Sequence, residues 1–201
     1  MSGRDVVLGR IRAALGGGAA PAAAAEIPRG YSRGGGPADL DLLVRRLEDY
    51  KAVVHRGVAI ADTVAGLVAG PLVVPPGIDP AWLPASVEVL PDDGLGADTL
   101  AVAGGVLTAA TVAVAETGTI VLDGSPDQGR RIISLLPDLH ICVVRADQVV
   151  AGVPDAIARL DPRRPLTWIS GPSATSDIEL NRVEGVHGPR RLHVILLEAG
   201  T

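Results

Sequence analysis

Short runs of aliphatic and β-branched residues alternate along this chain with segments whose apolar residues recur at helical spacing. The runs at 52–57, 71–75 and 140–144 have the composition of buried strands. In the segments 38–49 and 59–69 the apolar residues recur at the spacing of a helix. Strands that alternate with helices through short connections form a parallel sheet with helices on its faces. The sequence therefore predicts a layered α/β domain with a mostly parallel central sheet and helices on both faces.

The composition narrows the function classes. Apolar residues make up 47% of the 201 residues, aromatic residues only 2%, and the net charge is −5. A nucleic-acid surface needs a basic stripe and aromatic stacking platforms, so we expect no nucleic-acid partner. No apolar run approaches the roughly 20 residues that a membrane span needs, and no basic-then-apolar signal segment begins the chain. We therefore expect a cytoplasmic protein without a membrane span.

The N-terminal part differs from the rest. Residues 5–15 place four apolar side chains on one helical face, and 16–25 contains only Gly, Ala and Pro. An amphipathic helix followed by a flexible linker is the expected structure. We predict a helix-and-linker arm over 1–37 and a folded domain over 38–201. The apolar face of the helix is then available to a partner or to a second copy of the chain, which would make a homo-oligomer.

A hydroxyl-rich loop follows the apolar run 166–169. Gly171 lets the backbone approach a ligand closely, and Ser173 and Ser176 carry hydroxyls that donate and accept hydrogen bonds. In open α/β sheets, ligands bind in loops beyond the carboxyl ends of the strands. However, Ser176 and Glu179 also have the spacing of a helix capping box, and that alternative stays open. The ligand-binding residues expected in this region are Gly171, Ser173, Ser176, Asp177, Gly188 and Arg190.

Glu116 defines a second candidate site. It precedes a glycine-containing turn at a strand end, where partial desolvation would raise its pKa toward that of a general base or nucleophile. A surface glutamate at an ordinary turn is the alternative. Thr117, Gly118 and Thr119 are expected to bind ligand in the same place. We predict that this turn and the hydroxyl-rich loop meet over the same edge of a single sheet.

Two arginine pairs lie in connections between strands. Arg130 and Arg131 form one pair and Arg190 and Arg191 the other. One guanidinium from each pair can hold a carboxylate or phosphate through two parallel hydrogen bonds, and Arg130 and Arg190 are the candidates. Exposed arginines without a ligand are the alternative.

The sequence contains few side chains that could bind a redox group or a metal ion. Cys142 is the only cysteine, so the chain has neither an internal disulfide nor the set of thiolates that an iron–sulfur cluster needs. The four histidines lack metal-ligand spacing. We expect no metal site and no cofactor in this chain, and a buried strand position for Cys142.

Four separated strings of this sequence belong together: Ala115–Leu122, then Gly129–Arg130 with Ser134–Pro137 and His140–Ile141, then Ile169–Ser173 with Asp177–Glu179, and Gly185–Arg190. In this order they resemble the LUD-domain (LutC/YkgG) family of lactate-utilisation proteins. The resemblance implies a fold like that of the NagB/RpiA/CoA-transferase superfamily. It also implies a role in oxidising L-lactate to pyruvate beside LutA-like and LutB-like partners that carry the iron–sulfur clusters. This chain would then be a non-redox subunit, and whether it is itself an enzyme stays open.

A second resemblance concerns Glu116 and Gly118 alone. They are similar to the Glu-x-Gly of class I CoA-transferases, in which the carboxylate is the nucleophile. This would imply a stand-alone CoA-transferase-like or sugar-phosphate-isomerase-like enzyme with Glu116 as nucleophile or general base. The chain departs from that pattern because it has no evident second half to bind the acyl-CoA.

Overall fold

The computed structural model describes residues 2–16, 36–175, 183–184 and 187–198. The chain forms two compact units, Met1–Ser32 and Arg33–Thr201. The predicted division at residue 37 stays a prediction, because residues 17–35 lie outside the described ones. No helix within the described ranges has the length and apolarity needed to cross a lipid bilayer.

The first unit contains helix α1 (Gly3–Ala14), which confirms the predicted amphipathic helix. A capping box begins it: the Asp5 N–H donates to the Ser2 hydroxyl, and the Ser2 N–H donates to the Asp5 carboxylate. No residue of α1 is buried, and Val7 and Ile11 are 56% and 49% exposed. Among residues 2–16, no contact buries the apolar face of this helix.

The second unit is built on a six-stranded sheet in which every neighbouring pair is parallel. The predicted parallel sheet is therefore confirmed. Its strands are β1 (Val53–Arg56), β2 (Leu72–Val74), β3 (Val89–Pro91), β4 (Gly105–Ala109), β7 (Leu139–Arg145) and β12 (Arg191–Leu197), in the order β1-β12-β7-β4-β2-β3.

A separate four-stranded sheet holds β5 (Val112–Val114), β6 (Thr119–Leu122), β8 (Val149–Val150) and β9 (Thr167–Ile169). Its order is β8-β5-β6-β9, with antiparallel β5–β6 and β6–β9 pairs. This second sheet is additional to the central sheet that the sequence predicted. Residues 110–111 alone join β4 to β5, whereas a return to the same parallel sheet needs a crossover of a dozen or more residues. The pair β10 (Ala174–Thr175) and β11 (Val183–Glu184) completes the strands.

Four helices flank the sheets: α2 (Leu40–Asp49), α3 (Ile60–Leu67), α4 (Ala97–Ala101) and α5 (Val153–Arg159). Leu43 and Leu47 of α2 are fully buried in a core cluster that includes Ile120 and Val194, one from each sheet. Ile60 and Val64 of α3 belong to a second core cluster, in which they pack against side chains on the opposite face of the six-stranded sheet. Helices therefore cover both faces of that sheet, as predicted.

Two segments form other elements than their sequence patterns favour. The pattern over 148–160 predicts one helix, but the helix begins only at Val153, because Val149 and Val150 pair with β5 as a short strand. The almost wholly apolar segment 100–115 predicts a strand and a packed helix, but two strands fill most of it. An apolar run of this length fits a buried strand as well as a buried helix, so periodicity alone does not separate them.

The connections define a topological switch point between β2 and β4. The chain moves from β2 outward to β3 at one edge of the sheet, and from β4 through β7 and β12 toward the other edge. In open α/β sheets, ligands bind beyond the carboxyl ends of strands at such a point. The carboxyl ends of β2 and β4 therefore mark where a site is expected.

Candidate functional site

A cavity of 570 Å³ lies beyond the carboxyl ends of β2 and β3. Pro76, two residues after β2, and Asp92, directly after β3, form part of its wall. Three guanidinium groups also line it, those of Arg130, Arg131 and Arg164. We call it the arginine cavity. It lies beyond the carboxyl ends of two parallel strands, where ligands bind in this class of fold, and beside the switch point, because no residue of β4 or of 110–111 lines it.

The loop 123–129 forms one wall and is held by the sheet ends. The Gly77 N–H donates to the Pro126 carbonyl at 2.8 Å, and the Ala109 N–H donates to the Asp127 carbonyl at 2.9 Å. Gly129 has a φ of +70°, and a Cβ there would lie 2.9 Å from the Cβ of Pro75. The loop therefore lies directly on the ends of β2 and β4, and glycine is required at its close approach.

Two of the three arginines are oriented by carboxylates. Arg130 donates from Nε to Asp92 Oδ2 at 2.8 Å and from Nη2 to the Leu95 carbonyl at 2.9 Å. The side chain of Asp92 is 1% exposed, and the hydrogen bond from Arg130 lowers its pKa. The Nη1 atom of Arg164 lies 3.0 Å from Asp123 Oδ2. Both carboxylates are ionised. Each therefore holds one guanidinium group in place and also neutralises its positive charge.

Arg131 differs from the other two. Within the described part of the chain it makes no ion pair, and its side chain is exposed. Three arginines line the cavity, but only two carboxylates among the described residues pair with them, so one positive charge is left without a counterion. This excess positive charge makes the arginine cavity suited to an anion.

A smaller cavity of 290 Å³ adjoins the first, and Arg131, Ser134 and Thr167 line both. Trp168 also lines it, and we call it the tryptophan cavity. Three of the residues predicted to bind ligand, Gly171, Ser173 and Gly188, lie in its wall.

Ser173 also holds the turn at 187–189 in place. Its hydroxyl accepts a hydrogen bond from the His187 N–H at 3.0 Å, and its N–H donates to the Pro189 carbonyl at 2.8 Å. The segments on either side of the undescribed residues therefore meet at Ser173. Among the described residues its hydroxyl only accepts a hydrogen bond, so its hydrogen can be offered to a ligand.

The Glu116 turn and the end of β9 lie at the same end of the four-stranded sheet. Thr117 and Thr119 share a hydrogen bond of 2.8 Å between hydroxyls, and Thr119 and Ser170 share another of 2.8 Å. The two loops that the sequence predicted to be neighbours are thus joined by a chain of hydroxyls. Glu116 itself is exposed and lines neither cavity.

Gly118 and Gly171 have a packing role in addition to any contact with a ligand. Both have positive φ, at +61° and +89°. A Cβ on Gly118 would lie 2.6 Å from the Cβ of Arg46, and one on Gly171 would lie 2.5 Å from the Cβ of Tyr50. The end of α2 therefore packs directly on both turns, and only glycine permits this approach.

Three predicted ligand-binding residues remain, Arg190, Ser176 and Asp177. Arg190 donates from Nε to Asp138 and lowers the pKa of that carboxyl, and it lines neither cavity. Ser176 and Asp177 lie outside the described residues, so their assignment stays a prediction. Sequence reasoning did not single out Arg164 or Asp92. These two residues approach the Arg130 loop only in the tertiary fold. The sequence did indicate Arg131, as the second arginine of the Arg130–Arg131 pair.

The two buried polar side chains of β7 are held neutral. His140 is 1% exposed, its Nε2 lies 2.8 Å from the Thr108 hydroxyl, and burial lowers its pKa to about 4. Cys142 is fully buried, as predicted, and burial raises the pKa of its thiol to about 12. Among the described residues, no group of three or more His, Cys, Asp or Glu is placed to hold a metal ion.

Comparisons with known proteins place these features in a family. The model of the LUD domain matches residues 98–197. A protein named Lactate utilization protein C from Deinococcus radiodurans is 56% identical over 131 residues, covering 63% of this chain and 62% of that protein. A protein of the same name from Bacillus subtilis is 37% identical over 99 residues, covering 45% and 41%. The chain thus spans about two thirds or less of the curated relatives it matches.

A solved structure gives the same result for the fold. The crystal structure of a DUF162 family protein from Deinococcus radiodurans aligns with a TM-score of 0.67 and 39% sequence identity. The alignment covers 79% of this chain and 95% of that one. Similarity of this extent in both sequence and structure shows that the chain belongs to the LUD-domain family.

Proposed function

We propose that this chain is a lactate utilisation protein C-like subunit that acts with iron–sulfur partner proteins in the oxidation of L-lactate to pyruvate. It binds a small anionic ligand in the arginine cavity. The observation that carries the proposal is the 56% identity over 131 residues to a protein named for lactate utilisation. The three arginines in the wall of the arginine cavity support the binding of an anion.

The partners follow from the chemistry of the reaction. Oxidation of lactate to pyruvate releases two protons and a pair of electrons, which an acceptor must take up. Cluster ligation generally takes four thiolates, and this chain has only Cys142, which is fully buried. We therefore assign the clusters to LutA-like and LutB-like partners and a non-redox role to this subunit.

The anion is assigned to Arg131. Its guanidinium has no ion pair within the described residues and lies between the two cavities. A carboxylate accepts two parallel hydrogen bonds from such a group. Ser134 and Thr167, which line both cavities as well, supply hydroxyls beside it.

Growth and partner capture test the proposal together. Cells that lack the gene are expected to lose growth on L-lactate and to keep growth on glucose. The wild-type gene and Arg163→Gln are expected to restore growth on lactate, because Arg163 is exposed and lines neither cavity. Arg131→Gln is expected to fail. A tagged chain should co-purify with iron–sulfur proteins from lactate-grown cells, and a solitary chain together with unimpaired growth would contradict the proposal.

Two further parts of the proposal concern the location of the protein and its assembly. We expect a cytoplasmic location. The exposed apolar face of α1, with Val7 56% and Ile11 49% exposed, supports contact with a second copy of the chain. Light scattering of the purified chain measures this: a monomer at micromolar concentration would contradict it.

The alternative of a stand-alone CoA-transferase-like or isomerase-like enzyme depends on Glu116. That side chain is exposed and lies outside the walls of both cavities. No observation specifically favours this alternative, and its test is given below with the other substitutions.

A further inference from the structure

We propose that a second ligand site lies at the switch point between β2 and β4, where a small carboxylate binds Arg145 and its binding brings a proton from solvent to Asp127. This site is distinct from the arginine cavity, although residues of the loop 123–129 line both. The inference therefore goes beyond the proposed function and does not depend on an anion at Arg131.

The position of a cavity of 420 Å³ is the first observation, and we call it the switch-point cavity. Its wall contains Gly77, three residues after β2, together with Ala110 and Thr111, which directly follow β4. Arg145, the last residue of β7, also lines it. The strands β7, β4 and β2 are adjacent in the central sheet. The cavity thus lies beyond the carboxyl ends of three neighbouring parallel strands, where ligands bind in this class of fold.

Arg145 gives this cavity a positive charge. Among the described residues its guanidinium makes one ion pair, between Nε and Asp147 Oδ1 at 3.5 Å, and both side chains are exposed. An exposed pair at this distance holds the arginine only weakly. Neither Nη group makes a hydrogen bond within the described ranges. A guanidinium in this state can hold a carboxylate through two parallel hydrogen bonds.

Asp127, in the same wall, has an incompletely satisfied carboxyl group. Its Oδ1 atom is shielded from solvent and has no hydrogen-bond partner in the described part of the chain. Burial raises the pKa of this carboxyl, and the charge of Asp123 raises it further, whereas the charge of Arg145 lowers it. An anion bound to Arg145 would cancel that positive charge. Asp127 would then bind a proton more readily, so ligand binding and proton uptake are coupled.

The charges around the cavity favour a monoanion. Arg145 contributes a single positive charge, and the carboxyl groups of Asp123 and Asp127 act on the same region. A phosphate group carries a charge of about −1.5 to −2 at neutral pH and would be repelled more strongly than a carboxylate. Ligand cavities generally measure about 300–1,000 Å³, so the volume suffices for a small organic acid.

Calorimetric titration tests the site in the full chain carrying Arg131→Gln, because this substitution removes the unpaired guanidinium of the arginine cavity. The probes are L-lactate, pyruvate, glycolate and inorganic phosphate. At least one carboxylate is expected to bind, and to bind more tightly than phosphate at pH 7. Adding Arg145→Gln should weaken this binding about tenfold, as loss of a charge-assisted pair does. Adding Arg163→Gln, at an exposed arginine outside all three cavities, should leave it unchanged.

Proton uptake tests the role of Asp127. Titrations in buffers of different ionisation enthalpy count the protons that are taken up with the ligand. At pH 5, above the usual aspartate pKa of about 3.9, we expect a fraction of a proton to be taken up with each carboxylate bound. Asp127→Asn should abolish this uptake. It should also remove the rise in affinity that we expect between pH 7 and pH 5, and circular dichroism verifies that each variant is folded.

The outcomes are distinct from those of the proposed function. Absence of carboxylate binding in the Arg131→Gln protein, or binding that is indifferent to Arg145→Gln, would overturn this inference. Tighter binding of phosphate than of any carboxylate would do the same, as would equal proton uptake with and without Asp127→Asn. Arg145-dependent binding by a chain that is dispensable for growth on L-lactate would support this inference and remove the proposed function.

Discussion

Acid should destabilise this protein through one buried side chain, His140. It is the second residue of β7 and is 1% exposed, and its ring makes its only hydrogen bond among the described residues with the Thr108 hydroxyl. Burial lowers its pKa to about 4, below the value of about 6.5 that an unfolded chain has. The unfolded state therefore binds a proton first as the pH falls. The stability that neutral His140 contributes is complete above pH 6.5 and is lost as the pH falls toward 4.

The size of the effect follows from the two pKa values. A decrease from about 6.5 to about 4 corresponds to about 3 kcal/mol of folding free energy over the whole range. About 2 kcal/mol of this is lost between pH 7 and pH 5. For a domain with a typical stability of about 5–15 kcal/mol, this is a readily measured fraction.

The comparison with His140→Gln isolates this contribution. Glutamine keeps a hydrogen-bonding group near Thr108 but does not titrate. Urea denaturation followed by circular dichroism at pH 7, 6 and 5 gives the free energy of unfolding of both proteins. Burial also lowers the pKa of His55 and His193, but both proteins contain these residues and their effect cancels in the difference.

We expect the wild type to lose about 2 kcal/mol more than His140→Gln between pH 7 and pH 5. Two curves that stay parallel over this range would refute the reasoning, because they would mean that His140 takes up its proton in the folded state as readily as in the unfolded one.

Three other substitutions and one chemical treatment have definite expected results. Gly118→Ala should destabilise the fold by about 2–4 kcal/mol in urea denaturation, since it adds left-handed strain and a Cβ 2.6 Å from the Cβ of Arg46. Gly57→Ala, with a similar φ of +63° and no neighbour within 4 Å, should show only the strain, about 1–2 kcal/mol. Glu116→Gln should leave growth on L-lactate unchanged, and loss of growth would favour the enzyme alternative. Cys142 should not react with Ellman's reagent until the protein is unfolded, because its thiol is fully buried with a pKa raised to about 12.

The central sheet was predictable because most of its strands contain an uninterrupted run of aliphatic residues. Strands buried on both faces need no alternation of polar and apolar residues, and the runs that became β2, β7 and β12 have that character. The division into two sheets was not predictable in the same way. Strand composition shows that β5 and β6 exist, but not which strands they pair with, and only the two-residue link after β4 excludes the parallel sheet.

The candidate site was predictable only in part, for a related reason. Ser173 and Gly171 were recognised by local chemistry, since small hydroxyl residues and glycine at a strand end are a local signal. Asp92 and Arg164 carry no such signal, because each gains its role from a partner elsewhere in the chain. Asp92 meets Arg130 across 38 positions, and that distance in sequence is closed by the order of strands in the sheet.

These long-range pairs also explain why Arg131 is the position to test. Asp92 and Asp123 hold Arg130 and Arg164 by ion pairs, so their replacement would disturb the fold as well as any ligand. Arg131 has no such partner among the described residues, and its removal takes one positive charge from the cavity without leaving a buried carboxylate unpaired. Because its side chain is exposed, stability should be nearly unchanged. A loss of ligand binding in Arg131→Gln can therefore be attributed to the site itself.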